Sequence, residues 1–478
     1  MDYITQLKKD SNNAIDYLYK RINYNGNTID LISIETIASS SDINDFILKK
    51  ISLLDTIEIN NLEDYLYNFL PAISIKKLKD YNELKDSLLN GFAIVIINNN
   101  KILAIETRRD LSRGIGEANY ERSITGPKDG FNELFNTNVG LIRRRIKDIN
   151  LHLEEVKVGK YSKTRIGVMY INGVSKLDIK DKIINRLKNI NIDGIIDSGY
   201  IRKWINQNNS LFPTIKSTER PDLASQALLE GKIIIITDNS PDILILPTFF
   251  IDYFHTSDDY YQKSLNISFI RIIRLIAFII AIFLPSYYIA ITTYNVDFIP
   301  INLLINFVSQ RGSVPFPAFI EALIMIISFE ILRESDMRIP SNMGTAVSIL
   351  GGLVLGDAAV SAGIISPIMI IVVAVSAISG LLFQSVEVIN AIRWWRFSLM
   401  ILASMFGIYG IFIGLVLIII NLSDTKSFDK DYLYPYAPIS FKEQLDGFIQ
   451  INNHKVKYRN KLLSDNKIRG RMTRNIKD

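Results

Sequence analysis

Almost every long apolar stretch of this chain lies between residues 272 and 421, and that segregation decides what it can fold into. Residues 1–265 mix charge with short apolar runs, as water-soluble domains do. Residues 272–292, IIRLIAFIIAIFLPSYYIAIT, are long enough to cross an apolar layer of about 30 Å. Arg271 and Arg274 stand at the front edge, with Lys263 upstream, which predicts that the N-terminal region faces the cytoplasm. Residues 316–332 form a shorter apolar helix, and residues 398–420 read as a further span. Arg393, Trp394, Trp395 and Arg396 precede that span as an interfacial collar. Between them, residues 344–382 carry Asp357 as their one charge. As a straight helix this stretch would be about 58 Å long, too long for one pass. Gly351, Gly352, Gly356, Gly363 and Pro367 interrupt it, so it reads as a tight hairpin or as one span plus a broken piece. The expected fold class is a soluble α/β region followed by an α-helical transmembrane bundle of about four to five helices.

The soluble half repeats itself. Asp42, Ile43, Asp45 and Ile47 match Asp178, Ile179, Asp181 and Ile183 at an offset of 136. Leu88-Leu89-Asn90-Gly91 matches Leu228-Leu229-Glu230-Gly231 at an offset of 140. Each copy then runs into a strand, a polar turn and another strand, FAIVIINNNKILAIET against KIIIITDNSPDILILP. Asp42 and Asp178 are expected to cap helices, and Gly91 and Gly231 to end them. The expected divisions are an N-terminal extension over 1–27, a first α/β lobe over 28–112 and an inter-lobe loop and helix over 113–163. A second lobe over 164–265, a transmembrane domain over 266–421 and a basic cytoplasmic tail over 422–478 follow.

The inter-lobe helix ends in Arg143-Arg144-Arg145 and Lys147. A basic end suits the helix dipole in solvent. The alternative is a salt-bridged contact between lobes or subunits, or with anionic headgroups.

Several function classes are excluded or disfavoured. There is no cysteine, so disulfides and thiolate chemistry are absent. The three histidines, His152, His255 and His454, have no metal-ligand spacing, and no metal or cofactor is implied. The chain has no phosphate-binding loop, and Gly114-Ile115-Gly116 lacks the rest of a dinucleotide site. A net charge of +5 with no aromatic-basic array does not point to nucleic acid. The N-terminal decapeptide has no apolar core and is not read as a signal peptide. Nothing suggests an enzyme.

Charge inside apolar helices is where function is sought. Glu321 and Glu330 are nine residues apart and cannot share a helix face. Glu330 can pair with Arg333 at i,i+3. Glu321 has no local partner, and either lines an ion path or hydrogen-bonds to a neighbouring helix. Asp357 sits in the glycine-rich break, where freed carbonyls and a carboxylate can face a cavity. The tail over 455–477 is strongly basic, which favours an even number of crossings and a cytoplasmic end.

The residues from Arg311-Gly312-Ser313-Val314-Pro315-Phe316-Pro317 through Glu321 and Phe329-Glu330-Ile331-Leu332-Arg333-Glu334 to Arg338-Ile339-Pro340 resemble the signature of GerA-type spore germinant receptor A subunits. Gly126-Pro127, Gly130-Phe131, Asn136, Asn138, Leu141-Ile142-Arg143-Arg144-Arg145 and Tyr434-Pro435-Tyr436-Ala437-Pro438 are similar too. Asp357 departs from the family, where an uncharged amide is expected, and so does Ser335-Asp336-Met337.

The resemblance implies a spore inner-membrane protein that forms a homo-oligomer surrounded by membrane lipids. It implies a transporter-like B subunit and a lipoprotein C subunit as partners, and a nutrient-gated cation path with Glu321 and Asp357 as path or gate residues. The alternative is a non-conducting sporulation-stage paralogue, a scaffold of the dipicolinate-release channel.

Overall fold

In the computed structural model, residues 3–466 are described apart from 13, 25–26, 53–61, 110–117, 119–120, 122–124, 207–209, 339–355, 441–443, 445, 451–458 and 465. Gly351, Gly352, the Gly114-Ile115-Gly116 stretch and the basic tail beyond Asn466 lie outside the described residues.

Two sheets of five strands form the soluble half, and they share one topology. β1 (Tyr17–Tyr24), β2 (Asn27–Ile34), β3 (Ile75–Leu78), β4 (Phe92–Ile97) and β5 (Lys101–Glu106) are ordered β1-β2-β4-β5-β3. β6 (Leu151–Val158), β7 (Thr164–Ile171), β8 (Lys216–Thr218), β9 (Ile233–Thr237) and β10 (Ile243–Leu246) are ordered β6-β7-β9-β10-β8. Every neighbouring pair is antiparallel. Helices cover both faces of each sheet, which explains why the central strands β4 and β9 are apolar and buried along their whole length.

The duplication extends further than the sequence matches. Helix Tyr3–Asp10 places Ile4 and Leu7 on one face of the first sheet, with Ile32, Ile34 and Ile94. Helix Phe135–Arg145 places Phe135, Val139 and Ile142 on the matching face of the second, with Met169, Ile234 and Ile236. Residues 1–27 are therefore no extension, because β1 is an edge strand of the first sheet. The expected inter-lobe segment over 113–163 likewise contains a helix and a strand of the second lobe. The edge strands β1 and β6 have mixed burial without regular alternation, which leaves little periodic trace.

Two local expectations change as well. Ser39, not Asp42, caps the first helix, accepting from the Asp42 amide, and Asp178 lies in the first turn after Lys176. Gly231 does end its helix, with φ +97°, and Gly91 follows Asn90 with φ +88°. In the first hairpin the turn residues Asn98 and Asn99 take positive φ, which asparagine tolerates.

Among the described residues of the C-terminal half, one helix, Ser264–Thr293, is long and apolar enough to cross a membrane, and Pro367–Gly380 and Ile408–Asp424 are shorter apolar helices. Helices Ile301–Arg311, Ala318–Arg338 and Val386–Phe406 and the helical stretch 356–361 belong to the same half. The expected single span over 398–420 is instead a helical hairpin. Gly407 breaks it at φ +59°, and helix Ile408–Asp424 folds back on helix Val386–Phe406. A Cβ at Gly410 would run into the Leu402 carbonyl, and one at Gly414 into the Leu399 side chain. Uniform hydropathy hides this reversal; the three glycines are its only sequence trace.

The tail returns to the second lobe. Lys182 pairs with Asp429 and Lys430 with Asp178, while the Ser427 hydroxyl donates to the Thr214 carbonyl. The Lys176 amide donates to the Leu463 carbonyl, and Ser175 bridges Ser464. The chain thus enters and leaves the bundle on one side.

Candidate functional site

Glu321 lies in the first turn of Ala318–Arg338 and is fully buried. One carboxylate oxygen accepts from the Ser366 amide at 3.0 Å and from the Ser366 hydroxyl at 2.8 Å. Ser366 is the N-cap of helix Pro367–Gly380, so Glu321 places a negative charge where the helix dipole favours one. The other oxygen faces Arg311 Nε at 3.4 Å. Glu321 is expected to lack a local partner, and both Ser366 and Arg311 come from outside its own helix. Of the two readings left open, the hydrogen bond to a neighbouring helix is the one seen.

Glu330 is engaged differently. The expected Arg333 contact exists at 3.6 Å, but Arg393 at 2.9 Å and Arg396 at 3.0 Å are closer. Both come from within helix Val386–Phe406, so the expected interfacial collar is an internal part of that helix. Trp395 is buried beside them and Trp394 faces outward. Asp357 is exposed on the helical stretch 356–361. The Gly363 bend that follows, at φ +66°, packs near the Ser313 carbonyl.

The basic triplet divides. Arg143 is buried and pairs with Asp16, which immediately precedes β1, and donates to the Leu151 carbonyl. It is a contact between lobes. Arg145 pairs with Asp129 at 2.6 Å, and Arg144 is exposed.

A junction that no local sequence pattern marks joins the lobe, the bundle and the tail. Asp259, in the turn before the first long helix, holds both Arg271 and Arg274 at 3.0 Å. Arg271 also reaches Asp446 of the tail at 3.0 Å and the Gly447 carbonyl at 2.6 Å. Beneath lies an aromatic core in which Phe212, Phe250 and Phe254 of the lobe meet Phe278 of the helix. Phe383 joins from the loop before helix Val386–Phe406, and Tyr432 and Phe448 from the tail. His255 is half-buried there, and desolvation and the Arg271 charge hold its pKa well below the usual value. Among the described residues no cluster of side chains could hold a metal ion.

Comparison with known proteins places this geometry in a family. The family described as "Bacillus/Clostridium GerA spore germination protein" matches residues 5–462. The chain is 38% identical to spore germination protein KA of Bacillus subtilis (strain 168), over 82% of this chain and 72% of that protein. It is 34% identical to spore germination protein GerQA of Bacillus cereus, over 94% and 89%. The "Uncharacterized membrane protein YfkQ" of Bacillus subtilis (strain 168) is 36% identical over 91% of this chain and 85% of its own length. The crystal structure of the N-terminal domain of the A subunit of the Bacillus megaterium spore germinant receptor GerK3 is 32% identical, covering 52% of this chain and 94% of that one, with a TM-score of 0.39. The match over nearly the whole chain means that this protein belongs to the Bacillus/Clostridium GerA family of spore germination proteins.

Proposed function

We propose that this protein is the A subunit of a nutrient-sensing germinant receptor in the spore inner membrane. It spans the membrane several times, with its lobes and tail in the cytoplasm. It works with a transporter-like B subunit and a lipoprotein C subunit, assembles as a homo-oligomer, and contributes a cation path that nutrient binding opens. It acts by conformational change, not by catalysis.

The junction at Asp259 is the observation that carries this reading. One carboxylate grips two arginines of the first long helix, one of which also grips the tail. A tilt of the second lobe is thereby transmitted to the helices without a flexible linker. A two-state assembly of this kind shifts only as far as the nutrient's differential affinity for the open state allows.

Glu321 and Asp357 are the proposed gate residues, in different roles. Glu321 locks the start of helix Pro367–Gly380 to Arg311. Asp357 is exposed on its short helix, and its proposed role is to face a path lined by a second copy. The test is potassium release from spores carrying Glu321→Gln or Asp357→Asn in mixed nutrients, with subunit levels measured by blot. Slower release or altered ion preference at normal levels supports the conducting role. Unchanged release in both variants rejects it and favours a non-conducting scaffold.

A further inference from the structure

Charge within the bundle is unevenly matched around Glu330. Three guanidinium groups, from Arg333, Arg393 and Arg396, converge on this one carboxylate. Arg396 is the deepest, with its side chain 5% exposed. Glu330 takes the terminal Nη2 atoms of all three arginines. The Nε atoms of Arg393 and Arg396 are buried and have no hydrogen-bond partner among the described residues.

Two carboxylates near the cluster in sequence are engaged elsewhere. Glu334 is paired with Arg338, and Glu387 with Arg202 and Ser385. Residues 339–355 contain no acidic residue. A guanidinium keeps its charge when buried, and an uncompensated charge in an apolar helical bundle is strongly unfavourable. The geometry of the free groups also matters. Glu330 takes one terminal nitrogen of each arginine, and the buried Nε–H groups of Arg393 and Arg396 remain as donors for oxygens of a carboxylate or phosphate.

We propose that the Glu330–Arg333–Arg393–Arg396 cluster is an anion-binding site that takes an oxyanion, with Arg393 and Arg396 as its principal ligands. The oxyanion comes from an acidic lipid headgroup or from a free phosphate; the recognising chemistry is the same. Glu330 acts as the competing internal anion and orients the guanidinium planes. The site does not depend on whether the bundle conducts. It does mean that a cation path avoids this region, since the cluster repels cations.

The full-length protein in neutral detergent, held at constant ionic strength, provides the test. Its melting temperature and tryptophan emission, to which Trp395 beside the cluster contributes, are followed in two titrations. One replaces chloride with inorganic phosphate; the other adds phosphatidylglycerol against phosphatidylcholine as the net-neutral control. Stabilisation in either titration is expected, the first pointing to a free anion and the second to a headgroup. Arg396→Gln should weaken the apparent affinity about tenfold or more, as expected for loss of a charged hydrogen-bond donor. Glu330→Gln should strengthen it, because the internal competitor is gone. A purely structural ion pair makes the opposite claim, that Glu330→Gln is destabilised and not rescued by anion. If Arg396→Gln does not accumulate, the more exposed Arg393→Gln and Glu330→Gln carry the comparison. The proposal is overturned if neither titration stabilises beyond its control, if the arginine variants respond as the native protein does, or if Glu330→Gln binds anion more weakly.

Discussion

The amide of Lys176 donates to the carbonyl of Leu463 at 3.1 Å, and the amide of Ser39 makes the matching bond to Thr107 at 2.6 Å. The two bonds occupy equivalent slots in the duplicated lobes. In the first lobe the slot beside Gly91 is filled by Arg108, from the chain just after β5. In the second lobe the chain after β10 departs for the bundle, and the slot beside Gly231 is filled by Leu463 and Ser464 of the tail. A piece that is local in one copy is supplied from the far end of the chain in the other.

Gly231→Ala is expected to loosen that tail. The position has φ +97°, and a Cβ would lie 3.1 Å from the Leu463 carbonyl. The left-handed conformation alone costs roughly 1–2 kcal/mol for an L side chain. The melting temperature should fall, and limited proteolysis should cut within the tail faster than in the native protein. An unchanged cleavage rate would mean that the tail is held by its other contacts.

Arg143→Ala should be among the most damaging changes in the soluble half. It leaves Asp16 buried without its partner, a loss of about 3–5 kcal/mol. Denaturant unfolding of the purified protein measures it. Arg143→Met combined with Asp16→Asn should cost less than the sum of the single changes, because the two side chains act as a pair.

Asp242 supplies a pH-dependent term. Burial, together with the Glu219 and Asp197 charges, pushes its carboxyl up to about 6. The folded state therefore favours the protonated form. Its contribution to stability is full below the unfolded value, about 3.9, and is lost as pH rises through about 6. Asp242→Asn should stabilise the protein at pH 7 by about 1 kcal/mol, after discounting for partial solvent screening. The gain should vanish near pH 4 in matched thermal melts. A gain that does not change with pH would assign the effect to something other than this ionisation.

Gly410→Leu is expected to block the helical hairpin, since even a Cβ there meets the Leu402 carbonyl. The variant should fail to accumulate in membranes, whereas Gly312→Ala, with neighbours no closer than 3.4 Å, should accumulate normally. Quantitative blots of membrane fractions distinguish the two.

These contrasts explain what was legible in the sequence. Gly91 and Gly231 announce their helix ends because a left-handed residue has a strong local preference. The repeat of Asp42-Ile43 in Asp178-Ile179 announces the duplication because both helices bury the same face. Glu330 and Arg333 are visible as neighbours at helical spacing. Arg393 and Arg396 read in the sequence as an interfacial collar, because only the packing of two helices far apart in sequence brings them to Glu330. Glu321 and Ser366 meet for the same reason, and so do Arg143 and Asp16. The hairpin at Gly407 was missed because both its arms are equally apolar.

The exchange of slot-fillers between the lobes also sets an order of events during synthesis. The first lobe has all its parts once Arg108 has emerged, but the second lacks one until Leu463 and Ser464 have been made. At ordinary elongation rates that interval is on the order of tens of seconds. The second lobe's own strands end at Leu246, so for the later part of it the seam stays open while the helices that follow are made. Closure of the seam therefore makes the second lobe depend on residues that are synthesised only after the whole bundle.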